Sequence, residues 1–201
     1  MEITPTRSAL LESRDERLVM REGYRFLDEK RLLLAAEILR QFEAYRSLQA
    51  ELTERHRLTV AALAEVVGVH GLHGLQLVPA KEREAARIER QVRGFFGVPL
   101  VDEVQLALGP GGVEGGAVTA VVRRCAEQLR LLLELSARLA ALSGNLHRLL
   151  AEYQRSERRA RALEDVILPE LDEAIHEMEI RLEELDQEEA IRVRLGGRGS
   201  D

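Results

Sequence analysis

The chain has 201 residues and a net charge of −6, from 35 acidic and 29 basic residues interspersed along its length, so it offers no one-signed surface to nucleic acid or an anionic membrane. Charged residues make up 32% and aromatics 3%, with no Trp, which excludes a thick aromatic core and leaves a narrow apolar seam as the place for burial. The lone Cys125 excludes an intrachain disulfide and suits a reducing compartment, and the polar stretch 1–17 lacks the apolar run of a signal peptide.

Glycine and proline divide the chain. Residues 68–116 hold most of both, whereas 8–67 contain only Gly23 and 117–195 only Gly144 and Pro169. The division predicts an N-terminal helical arm (1–67), a head (68–116), a C-terminal helical arm (117–195) and a disordered tail (196–201).

Thr4, Pro5 and Thr6 supply capping chemistry at the start of the first arm, followed by Leu11 and Leu18. From there a 4,3 spacing runs through Met20, Tyr24, Leu27, Arg31, Leu34, Ile38, Gln41, Tyr45, Leu48 and Leu52, which places a mostly apolar stripe on one helix face. In the head, the run from Val92 to Val101, rich in strand formers such as Val98 and punctuated by Gly94, Gly97 and Pro99, predicts a short β-hairpin or bent strand. Lys81–Arg90 is helical by composition, and the glycines of 109–116 predict a flexible return loop.

The second arm repeats the seam through Leu132, Leu135, Leu139, Leu142, Leu146, Leu149, Tyr153, Ser156, Ala160, Leu163 and Ile167. Beyond Ile167 the spacing lengthens to Leu171, Ile175, Met178, Leu182 and Leu185, which predicts a change of winding near Pro169. Pro169 costs on the order of 3 kcal/mol inside a helix, and Gly144 about 1 kcal/mol, so a bend at Pro169 is expected. Two arms joined by a compact insertion can pair only by folding back. The expected fold is all-α: a long antiparallel two-helix coiled coil with a small middle head containing a β-hairpin. At about 1.5 Å per residue the arms would run roughly 90 and 120 Å, so the second overhangs the first.

Candidate chemistry is sparse. Glu173 and His176 form one E-x-x-H, but a di-iron bundle needs a second copy and further inward carboxylates. His70 and His73 are two nitrogens where zinc wants three or four ligands. The glycines at 109–112 lack the G-K-[ST] ending of a phosphate loop, and Cys125 has no activating His near it in sequence. Charged residues between seam positions (Glu12, Arg14, Glu29, Lys30, Glu183, Glu184, Glu188, Glu189) read as a solvated face, with partner contact as the alternative. No catalytic residue, metal or cofactor is expected.

The order of several motifs nevertheless resembles one family. Pro5, Thr6 and Arg7 with Leu10, Leu11 and Leu18 look like its opening, and Gly23, Phe26, Leu27, Lys30, Arg31 and Leu34 resemble its G-x-x-L-L-K-x-K-R-D-x-L stretch. The run from Arg158 to Pro169 is similar to R-R-V-N-A-L-E-x-V-x-I-P, Glu188, Glu189 and Arg192 to E-E-x-x-R, and Gly97, Val98 and Pro99 to the M-G-x-x-V-P of its head hairpin. The family is the D subunit of the V-type and V/A-type rotary ATPases. Asp28 and Glu29 stand where it is usually basic, Ala190 and Ile191 replace a bulky pair, and Arg161 replaces its Asn.

The resemblance implies a non-catalytic central-stalk rotor, cytoplasmic and peripheral to the membrane. Pro5, Thr6, Arg7, Glu188, Glu189 and Arg192 would face the hexamer of catalytic and regulatory subunits, and Leu27, Leu34, Ile38, Leu163, Ile167 and Leu171 would form the seam. The F subunit would bind alongside, and a socket subunit would join the head to the membrane ring. No nucleic acid or direct membrane insertion is implied. Without the resemblance, the residues fit a coiled-coil scaffold or adaptor equally well.

Overall fold

The computed structural model describes residues 6–76, 87–107 and 119–196. In chain order, helix α1 (Arg7–Gln76) is followed by strands β1 (Arg87–Phe95) and β2 (Val98–Ala107), helix α2 (Ala120–Ala162), a π-helical turn (Leu163–Ile167) and helix α3 (Leu168–Gly196). The chain forms two compact units, one of Met1–Leu33 with Tyr153–Asp201 and one of Leu34–Glu152.

In the first unit, the beginning of α1 lies antiparallel to α3. Arg7 pairs with Asp186 at 2.9 Å, Arg14 with Glu179 at 2.6 Å and Arg17 with Asp172 at 2.9 Å, the partner number falling as the α1 number rises. Such exposed pairs add little energy; they mark the register. Cohesion comes from the seam, where Ser156, Ala160, Ile175 and Met178 are buried. Met20, Tyr24, Leu27, Leu163, Ile167 and Leu171 are half-buried there.

The second unit repeats the antiparallel pairing. Arg55 donates to Gln128 at 3.4 Å, Glu65 pairs with Arg124, and His70 meets Thr119 at 2.8 Å. Leu34, Val66, Cys125, Leu135 and Leu149 form its helical core, with Val98 and Leu100 entering from β2. Gly71 interrupts α1 with φ 66, which only glycine adopts without strain, so the helix continues past Gly68 but not smoothly to its end.

Burial follows the 4,3 spacing closely. From Met20 to Leu52 on α1, and from Leu132 to Leu182 across α2 and α3, every position of the two series is buried or half-buried; Leu185 is exposed. The lengthened spacing after Ile167 corresponds to one residue more than the 4,3 series needs, and the π-helical turn lies at that point. The Leu168 N–H bonds to the carbonyl of Leu163, five residues back, so the turn absorbs an extra residue and keeps later apolar positions facing inward. Pro169 follows the turn directly, so the N–H it lacks falls where the hydrogen-bond ladder is already displaced.

The hairpin runs the length of both strands, with Arg87 opposite Ala107 and Phe95 opposite Val98. Phe96 and Gly97, at φ 48 and 85, make the two-residue turn, whose positive φ values match the strand twist. Arg87–Arg90 is therefore strand and not helix: pairing with Val104–Ala107 decides its conformation against composition. Residues 81–86, the glycines of 109–116 and the tail 197–201 lie outside the described residues.

Candidate functional site

At the open end of the first unit, Thr6 caps α1. Its Oγ1 accepts the Ala9 N–H at 3.1 Å and its carbonyl accepts the Leu10 N–H at 3.0 Å. Arg7 donates twice to Asp186, which sets the start of α1 beside the segment of α3 that carries Glu188, Glu189 and Arg192. These three share one face of α3 with Leu185 and Val193, and all five are exposed. Pro5 lies outside the described residues.

The same unit presents a second apolar stripe to solvent. Leu11, Leu18, Val19, Phe26, Leu32 and Leu33 on α1 are all exposed, Leu18 at 58% and Phe26 at 59%. They recur at steps of about seven residues, as Leu11, Leu18 with Val19, Phe26, and Leu32 with Leu33, so they form a band on the face of α1 turned away from the seam. A band of this kind marks an interaction surface more readily than isolated apolar residues do. Between the helices, the Tyr24 phenol bonds Glu164 of the π turn; loss of solvation and the adjacent carboxylate push its pKa up.

In the second unit the hairpin is fastened by polar groups as well as by Val98 and Leu100. The Asn145 side chain accepts the Val101 N–H through Oδ1 and donates to the Val101 carbonyl through Nδ2, both at 2.8 Å, and Arg148 donates to the same Oδ1 at 2.7 Å. Asn145 thus completes the outer edge of β2 as a neighbouring strand would. A bulge between Gln91 and Val92 shifts the register there and leaves Asp102 the unpaired residue; Asp102 accepts from Arg93 at 2.7 Å. Arg93 also donates to Glu37 on α1 at 2.9 Å and lies 5.7 Å from the Phe95 ring centroid. Glu37 additionally receives Arg40 and Gln41, and these hydrogen bonds, Arg40 foremost, hold its pKa down at about 2. Gly97 forms the hairpin turn, Val98 is buried and Pro99 is exposed on β2.

The remaining candidates are not brought together. Among the described residues no three His, Cys, Asp or Glu side chains cluster as metal ligands, and no helix is long and apolar enough to cross a membrane. His70 bonds Thr119 at the start of α2. Cys125 is buried, and loss of solvation raises its thiol pKa, the opposite of an activated nucleophile. Sequence reasoning missed Glu37, Arg93 and Asn145. The one available signal was Asn145 itself, a polar residue in the Leu142, Leu146, Leu149 stripe.

The family model for the D subunit of ATP synthase matches residues 9–195. Over 200 residues the chain is 33% identical to the D subunit of the V-type ATP synthase of Anaeromyxobacter sp. (strain Fw109-5), covering 95% of this chain and 91% of that protein. It is 28% identical over 204 residues to the D subunit of the A-type ATP synthase of Methanoregula boonei, covering 99% and 98%. Against the corresponding A-type protein of Pyrococcus horikoshii it is 28% identical over 198 residues, covering 96% and 92%.

Proposed function

Because this chain belongs to the family of ATP synthase D subunits, we propose that it is the non-catalytic central-stalk rotor of a V/A-type ATP synthase or ATPase. In this role it couples ATP synthesis or hydrolysis in a surrounding hexamer to ion transport across the membrane, while remaining on the cytoplasmic side. The first unit supports the reading most directly. It pairs two helices through a seam and still leaves the band from Leu11 to Leu33 in water, as expected of a part that is itself surrounded by protein.

The mechanism follows from symmetry. A helix pair has no threefold axis, so three chemically equal catalytic sites around it each meet a different face. Unequal contacts give unequal nucleotide affinities, and turning the pair permutes them. Thr6 and Arg7, Glu188, Glu189 and Arg192 stand at the end of the first unit and would meet the hexamer together with Pro5. Leu27, Leu34, Ile38, Leu163, Ile167 and Leu171 would supply the stiffness that torque requires, and the π turn before Pro169 would be the place where the pair bends. The 68–116 head would face the membrane on a socket subunit, with the F subunit alongside.

Purification from the native membrane tests the reading. A rotor copurifies in fixed stoichiometry with a nucleotide-binding hexamer, and its removal abolishes ATP-driven ion pumping. The same coiled coil acting as an adaptor would copurify with other helical proteins and leave pumping intact, which would overturn the proposal.

A further inference from the structure

The seam of the second unit is interrupted by a polar layer where the hairpin docks: Glu37 is 8% exposed, Gln41 4% and Asn145 1%. Buried polar groups of this kind are tolerated only when bonded, and the bonding here is divided unequally. Arg40 and Gln41 reach Glu37 from its own helix, but the bond from another element comes from Arg93 of the hairpin. Arg148 reaches Asn145 from its own helix, but both ends of the Asn145 amide are taken by the Val101 peptide. The layer has no slack, since Gln41 Oε1 and Arg148 Nε are buried without partners. If the hairpin lifted, Asn145 would lose both Val101 bonds and Glu37 its bond from Arg93, and each would have to replace them with water at the helix seam or go short of partners while buried.

We propose that Asn145 and Glu37 form a latch that makes hairpin docking and the pairing of α1 with α2 at this level a single cooperative event. A partner that grips the hairpin would thereby loosen or tighten the helix pair beneath it. Both strands and both helix segments belong to one compact unit, so the coupling runs through direct bonds. The residue types fit the task. An Asn amide presents a donor group and an acceptor side by side, as a strand edge does; Asp loses the donor at nearly constant volume, and Leu loses both while keeping the branch at Cγ. The bulge at Asp102 supplies the matching half by leaving the Val101 N–H and carbonyl directed at α2.

The proposal does not depend on the rotor reading, because its test uses the full chain alone. Val101→Pro deletes the N–H that Asn145 accepts, on the side of β2 turned away from β1, and Arg93→Met deletes the partner of Glu37 while keeping an apolar stem. Neither alters a helix residue. Amide hydrogen exchange is then followed in helix peptides spanning 34–45 and 141–149, with 11–27 as the reference from the other unit. Val101→Pro is expected to speed exchange at 141–149 about tenfold, and Arg93→Met to do the same at 34–45, with 11–27 unchanged. Asn145→Leu alone is expected to speed exchange at 141–149 as well, and combining it with Val101→Pro to add little further, because both changes break the same contact. Unchanged helix peptides in both hairpin variants would overturn the latch. So would equal acceleration in all peptides, or effects of Asn145→Leu and Val101→Pro that simply add.

Discussion

Leu149 and Leu34 are both fully buried within one unit, so truncating either leaves a hole that a thin helix pair has few neighbours to fill. Leu149→Ala should destabilise the chain by about 2–5 kcal/mol, read from the denaturant midpoint at constant m. Glu37 gives a different kind of test. Its pKa in the folded chain, about 2, lies below the ordinary 4.5, so its stabilisation is fully present above the unfolded value and is lost as pH falls from about 4.5 toward 2. Wild type minus Glu37→Gln stability should therefore shrink across that window and stay level above about pH 5. A difference that is flat throughout would mean the carboxylate contributes no charge-specific stability. Neither Glu37 nor Asn145 could be assigned from sequence. A Glu amid charged neighbours reads as solvated, and an Asn in a leucine stripe reads as a defect, until a strand 44 residues away from Asn145 supplies the bonds.

At the scale of elements, legibility tracked how local the cause was. Seam positions could be read because burial in a helix pair repeats with the sequence, and the hairpin could be read at Gly97, where the turn needs a positive φ. The Arg87–Arg90 strand could not, because Arg and Glu favour helix and only pairing with β2 decides otherwise. The extra residue after Ile167 was visible as a spacing change, but its solution as a π turn was not, since a spacing does not say whether the winding or one hydrogen bond gives way. That solution makes two predictions. Deleting Glu170, an exposed residue, in a Pro169→Ala background returns Leu171, Ile175, Met178 and Leu182 to an unbroken 4,3 series with no interior proline, so the deletion should remove the five-residue hydrogen bond at Leu168 and raise the thermal midpoint above that of Pro169→Ala alone. Pro169→Ala, by contrast, should gain less than the roughly 3 kcal/mol of an interior proline, because the π turn has already displaced the ladder at Pro169. A gain near that full figure would show that the π turn does not accommodate the proline.

At the scale of the molecule, the proposed role assigns helix pairing and assembly to different residues, and this would separate folding from function. The buried seam holds the pair together, whereas Leu18 and Phe26 lie outside it and keep more than half their surface in water. They therefore contribute little to folding, and if the chain assembles as proposed, partners that bury them should stabilise it. Replacing both with Gln should leave helix content and the thermal midpoint of the isolated chain within about 0.5 kcal/mol of wild type. The same change should reduce recovery of the chain with the nucleotide-binding hexamer, and should shrink the rise in midpoint that assembly brings. Truncation in the seam should do the reverse: Leu149→Ala lowers the midpoint of the isolated chain but still assembles at low temperature. If the double Gln variant assembled as well as wild type, the band from Leu11 to Leu33 would not be the hexamer-facing surface, and the contact would have to lie on α3 around Glu188 and Arg192.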